Sequence, residues 1–258
     1  MRVDRVSSLA DDIDGVLIDQ FGVIHDGRAL YPGALDVLEG LRARGIPVAV
    51  LTNSGKRAAA NRDRLVQLGV PRDTFVDVVS SGEVAWTRLT TTVPIPRAWV
   101  IGRDGDDYGF APVTFVTDPR DADIVLILGS NAPETSMDEY RRRLQGVRLP
   151  ALCCNPDTQM LTRHGLAPAP GAIAALYEEL GGHVTWIGKP HAAIYADAVA
   201  RLGHPSRVLC IGDSAAHDVA GARRAGHRTL LVMTGVSEGL DAAALDPRPD
   251  YWMETLRW

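Results

Sequence analysis

Short apolar runs recur along the chain, and most are followed by a turn bearing Gly, Asp or Asn and then by an amphipathic stretch. Val16-Leu17-Ile18 is the first such run; it leads into Asp19 and a turn-rich segment that ends at Tyr31-Pro32-Gly33. From Ala34 to Ala43 the apolar positions Leu35, Val37, Leu38 and Leu41 fall on one helical face, and Gly45 supplies a stop. Val48 to Leu51 reads as a second buried strand with Thr52-Asn53-Ser54 as its polar end, and Ala58 to Leu68 as a second helix closed by Gly69. Farther on, Val208 to Ile211 leads into Gly212-Asp213, a helix to about Ala225, and a strand from Thr229 to Met233. Strands without alternation are buried on both faces, so this βαβα rhythm predicts an α/β fold with a parallel sheet covered by helices.

The middle of the chain repeats the theme with strands of its own, Ala98 to Gly102 and Asp123 to Gly129. We therefore expect residues 1–82 and 184–258 to form a Rossmann-like core and residues 83–183 to form an inserted α/β cap domain. Composition agrees with a soluble chain: 258 residues, 46% hydrophobic and 23% charged. The formal charge is −5 and no long basic run occurs, which argues against nucleic acid as the main partner. No segment has the length and apolarity of a secretory signal or a membrane span. Cys153, Cys154 and Cys210 are odd in number, and two are adjacent; a disulfide framework does not fit them, and a cytoplasmic location is expected.

Ligands of an open parallel sheet bind where loops leave the carboxyl ends of the strands. Four such ends carry reactive side chains: Asp19; Thr52-Asn53-Ser54; Lys189, read as following a strand at Thr185-Trp186-Ile187; and Asp213 with Asp218. Taken singly, Asp213-Ser214 is a helix N-cap and Lys189 a loop lysine before Pro190. Taken together they suit phosphoryl chemistry. A carboxylate can attack phosphorus and split one hard step into two. Clustered Asp19, Asp213 and Asp218 call for a cation, and oxygen-only ligands suit Mg²⁺. Lys189 balances charge, and Thr52 with neighbouring amides donates to phosphoryl oxygens.

At these residues the sequence resembles the haloacid dehalogenase superfamily, class IIA branch. The matching segments are Asp19 to Ala34, Val50 to Gly55, Asn155 to Asp157, Pro170 to Glu179, Gly188 to Tyr195 and Gly212 to Gly226, spanning nearly the whole chain in the family's order. The resemblance implies a Mg²⁺-dependent phosphatase of a small phosphorylated metabolite. Asp19 becomes nucleophile and metal ligand, Thr52 the phosphate-binding hydroxyl, with Asn53 and Ser54 beside it, and Lys189 the charge-balancing lysine. Asp213 becomes a metal ligand with Asp218 supporting it, and Asn155 and Asp157 stand on a cap loop facing substrate. Many capped relatives pair through their caps, so a homodimer is compatible with the resemblance, although no exposed stripe decides it.

Asp12-Ile13-Asp14-Gly15-Val16-Leu17 matches the family's first motif better by letter than the segment at Asp19. Two features select Asp19 instead. A buried strand precedes it, and its spacing to Pro32-Gly33-Ala34 fits the family, whereas the spacing from Asp12 is too long. That choice leaves Phe21 where phosphatases of the family have a second aspartate that moves protons. Phe21 can offer Mg²⁺ only its backbone carbonyl. Losing a positioned acid–base group costs about 10²–10⁴ in rate, which implies slow turnover or good leaving groups. His25, Asp26, His217 and Asp157 are the residues that could replace it. An aromatic at this position also occurs in dehalogenases, but those lack the acidic motif at Asp213 and Asp218. A non-catalytic phosphometabolite-binding relative and phosphoryl transfer to a non-water acceptor remain as alternatives. A Rossmann oxidoreductase does not fit, for lack of G-x-G-x-x-G after the first strand. Specificity is expected from Asn155 to Gly165, where Met160, Arg163 and His164 could line a pocket.

Overall fold

The computed structural model describes residues 1–162 and 165–258, so the expectation placed on Arg163 and His164 lies outside the described residues. In chain order the first elements are β1 (Gly15–Ile18), α1 (Ala34–Ala43), β2 (Val48–Thr52), α2 (Ala58–Gln67), β3 (Asp77–Ser80) and α3 (Ser81–Thr90). There follow β4 (Ala98–Ile101), β5 (Phe115–Val116), β6 (Ile124–Ile127), α4 (Met137–Leu144), β7 (Pro150–Cys153), β8 (Gln159–Thr162) and β9 (Gly165–Pro168). The last are α5 (Pro170–Glu179), β10 (His183–Trp186), α6 (Ala192–Arg201), β11 (Val208–Gly212), α7 (Ala220–Arg224), β12 (Arg228–Val232) and β13 (Tyr251–Met253).

The chain divides into two compact units, residues 1–52, 58–79 and 189–258 in the first, and 53–57 with 80–188 in the second. The first carries a sheet of order β13-β12-β11-β1-β2-β3. Its central strands are the apolar runs of the sequence: β1, β2 and β11 are buried along their whole lengths, as parallel strands covered on both faces must be. β1 pairs in parallel with β11 and with β2, Ile18 standing opposite Ile211 and Val50. Val37, Leu38 and Leu41 of α1 join Val16, Ile18, Val50, Leu209 and Ile211 in one core cluster. Each such side chain withdrawn from water contributes about 1.5–3 kcal/mol before entropy is counted. β13, from the apolar stretch near the end of the sequence, pairs in parallel with β12.

The second unit holds a sheet of order β10-β7-β6-β4-β5 and a β8–β9 hairpin in which Met160, half-buried, stands opposite Ala167. Its core gathers Ile101, Val125, Ile127, Tyr140, Ile173 and Tyr177. The unit runs wider than residues 83–183. The strand expected at Thr185-Trp186-Ile187 exists as β10, but it pairs in parallel with β7. An apolar run states that a strand forms; which sheet accepts it is set by contacts distant in sequence. The stretch 53–57 joins the same unit, where Ser54 accepts through its carbonyl from the Gly82 amide at 3.0 Å.

Candidate active site

Asp19 is the first residue past β1, and its amide donates to the Ile211 carbonyl of β11 at 2.8 Å, which carries the ladder one step beyond the strand. Lys189 reaches the same place from the other half of the unit. Its Nζ lies 2.7 Å from Asp19 Oδ1 and donates to Asp218 Oδ1 at 2.8 Å. Asp213 follows β11 directly, and ligand atoms of Asp19, Asp213 and Asp218 lie within 4.8 Å of one another. Asp213, Asp218 and Lys189 are buried, and the Asp19 side chain is nearly so. Thr52, also buried, ends β2, the strand that neighbours β1.

A π turn over Ala215–Val219 brings Asp218 back toward the strand end. The Asp218 and Val219 amides both donate to the Ser214 carbonyl, at 2.9 and 3.1 Å. The Ser214 amide in turn donates to Asp218 Oδ2 at 3.0 Å. Gly212 leaves room for this return, since a Cβ there would stand 2.1 Å from Asp218 Cγ. His217, on the same turn, is half-exposed with Nδ1 3.1 Å from Ser214 Oγ.

Burial dominates the electrostatics. It raises the Asp19 carboxyl to about 7, against the pull of Lys189 and with the push of Asp218. Burial likewise raises Asp213 well above the usual carboxylate range, and Asp19 and Asp218 add to the effect. For Lys189, burial alone would lower the ammonium, but Asp19 and Asp218 outweigh it and hold the group charged. Fully ionised, the three carboxylates would leave two negative charges unbalanced against the one ammonium in a buried space, a repulsion that adds to burial in raising Asp19 and Asp213. A divalent cation with oxygen ligands fits that donor set and that charge.

The remaining expected residues are placed less directly. Asp12 ends a 3₁₀ helix and Asp14 accepts from the Arg207 amide at 2.7 Å, so neither joins the carboxylates at Asp19. Phe21 is 53% exposed on the loop after Asp19. His25 in that loop is buried and its ring meets Phe21 edge-on at 5.8 Å, while Asp26 is exposed and accepts from the Arg28 and Ala29 amides. Lys189 does not follow a strand of the first sheet, because β10 belongs to the second. Within the second unit, Asn53 Nδ2 donates to Asp157 Oδ1 at 3.0 Å and the Asp157 amide donates to Asn155 Oδ1 at 2.9 Å. Ser54 Oγ accepts from the Lys56 amide. Sequence reading ended the strand at Met233 and passed over the loop after β12, where the Val236 amide donates to Asp213 Oδ2 at 2.8 Å. Its signal was a fifth polar strand end, Thr234-Gly235-Val236-Ser237.

A family model described as haloacid dehalogenase-like hydrolase matches residues 12–116, and a HAD-hydrolase-like model matches residues 186–258. The chain is 31% identical to the D-glycerol 3-phosphate phosphatase of Mycobacterium tuberculosis, over 98% of this chain and 72% of that protein. It is 26% identical to the ribonucleotide monophosphatase NagD of Escherichia coli K12, over 95% of each. Among solved structures, a haloacid dehalogenase-like hydrolase from Brucella suis superposes with a TM-score of 0.85 at 29% identity, covering 98% of this chain and 99% of that one. A glycerol phosphate phosphatase from M. tuberculosis, crystallised with magnesium, gives 0.75 at 28% identity, covering 96% and 77%. The chain therefore belongs to the haloacid dehalogenase-like hydrolases, in the branch that contains these phosphatases.

Proposed function

We propose that the chain is a Mg²⁺-dependent phosphatase that hydrolyses a small phosphorylated metabolite through an aspartyl-phosphate on Asp19. The observation that carries this reading is the buried cluster in which Lys189 Nζ bridges Asp19 and Asp218, with Asp213 alongside. It is supported by relatives named for glycerol phosphate, ribonucleotide and sugar phosphate substrates. Asp19 would attack phosphorus as its bond to the ester oxygen breaks, and water would then release phosphate and restore the carboxylate. Lys189 and the Thr52 hydroxyl would hold the transferring group. Asp19, Asp213, Asp218 and the Phe21 carbonyl would hold Mg²⁺, which when bound neutralises phosphoryl charge. Asn53, Ser54, Asn155 and Asp157 complete the proposed substrate contacts.

Phe21 brings no proton to the leaving oxygen, so turnover is expected to be slow or confined to good leaving groups. The same residue favours a second reading, a protein that binds phosphorylated ligands without turning them over. Phosphate release from 4-nitrophenyl, glycerol, sugar and nucleoside phosphates, measured with and without Mg²⁺, separates the two. We expect release that requires the metal and falls to background in Asp19→Asn. Release that survives Asp19→Asn would sink the nucleophile assignment. Binding without release, in folded protein, would select the second reading.

A further inference from the structure

Asp213 is enclosed by two loops that bring backbone against its carboxylate. Gly22, in the loop after β1, has φ +88, and Gly235, in the loop after β12, has φ +55. A Cβ on Gly22 would stand 2.1 Å from Asp213 Oδ2; one on Gly235 would stand 1.9 Å from that atom and 2.7 Å from Gly22 Cα. Oδ2 is thus wedged between two bare stretches of backbone, where it accepts from the Val236 amide. Ser237 Oγ donates to the Asp213 carbonyl at 2.6 Å. Among the described residues Oδ1 takes no hydrogen bond, which leaves it as the oxygen free for a cation.

The Thr234 side chain joins the two loops. Thr234 Oγ1 donates to the Gly22 carbonyl at 2.5 Å, while the Gly22 amide donates to the His25 carbonyl at 2.9 Å. Both ends of Gly22 are therefore fixed. Because the peptide is planar and trans, the bond made by the Gly22 amide also sets the direction of the Phe21 carbonyl.

We propose that Thr234 is a positioning residue for the metal centre: its hydroxyl locks the loop after β1 against the loop after β12 around Asp213, so that Asp213 Oδ1 and the Phe21 carbonyl are presented to the cation together. This rests on the metal reading given above. Groups that orient metal ligands typically change affinity by about 10–100-fold when removed. The test is Mg²⁺ titration by calorimetry on the full chain, beside thermal unfolding in EDTA. Thr234→Val keeps the shape and removes the hydroxyl; we expect Mg²⁺ affinity to fall by about 10–100-fold while the metal-free melting temperature moves by no more than about 5 °C. Thr234→Ser, which keeps the hydroxyl, should bind as the native chain does. Native affinity in Thr234→Val, or equal weakening in Thr234→Ser, overturns the proposal and leaves the phosphatase reading intact. A native chain that takes up no Mg²⁺ overturns the metal reading and this inference with it. Should Thr234→Val not fold, Thr234→Ala removes the same hydroxyl, and native affinity there overturns the proposal equally.

Discussion

Phe21 stands two residues past Asp19, the proposed nucleophile, with about half its surface exposed, and the proposed reaction would place negative charge on a departing oxygen. A phenyl ring has no proton to give, and the demand for one depends on the leaving group. An aryl oxide departs unaided far more readily than an alkoxide. Phe21→Asp is therefore expected to raise turnover of glycerol phosphate by about 10²–10⁴ and of 4-nitrophenyl phosphate by much less. Steady-state kcat on the two esters checks this. Equal, small changes on both would mean that another group already moves the proton, His217 and Asp157 being the first to replace. The reading of Asp19 over Asp12 and Asp14 came from the strand before it and the spacing after it, both visible in the sequence. The exposure of Phe21 was not, since a single aromatic in a loop has no period to read.

At the scale of elements, the loop from Gln20 to Leu30 is built around a buried imidazole. His25 Nδ1 accepts from the Gly27 amide at 2.9 Å, and Nε2 is buried with no hydrogen-bond partner among the described residues. Burial, helped by Arg64, lowers its pKa to about 4. In the unfolded chain the ring takes up a proton near pH 6.5. Between pH 6.5 and 4 the unfolded state thus binds more protons than the folded one, and stability falls as pH falls, by up to about 3 kcal/mol from this group. Urea midpoints measured from pH 7 to pH 4 should decline more steeply for the native chain than for His25→Gln; parallel declines would show that His25 does not resist protonation. Sequence reading took His25 and Asp26 as residues that could supply the missing proton. Asp26 is exposed on a turn, but the histidine faces inward, which composition cannot reveal. The regular elements were more legible. β1, β2 and β11 announce themselves as continuous apolar runs, and α1 as a 3.6-residue stripe. β10 was legible as a strand and not as a member of the second sheet. The Thr234–Ser237 loop was legible only as a further polar strand end, because hydroxyl-to-backbone bonds impose no pattern on neighbouring residues.

At the scale of the whole molecule, the three cysteines probe both units, Cys153 and Cys154 in the second and Cys210 in the first. All are buried and free of disulfides. Burial pushes the Cys153 thiol to about 12 and raises those of Cys154 and Cys210 as well. Thiolates are the reactive form, so no thiol should react with a chromogenic disulfide at pH 8 in the folded protein, and all three should react in denaturant. One fast thiol in the native protein would mark local opening of the unit that holds it. The sheet order of the first unit has a consequence for synthesis. β1 lies at the centre of its sheet, with β2 on one side and β11 on the other. A ribosome delivers β2 soon after β1 but must translate the whole second unit before Val208–Gly212 emerges. Until then the Gly15–Ile18 edge, apolar and unpaired, is open to any passing strand. The nascent chain therefore spends most of its translation with β1 in want of a second neighbour, and that interval is when a holdase would matter most to this protein.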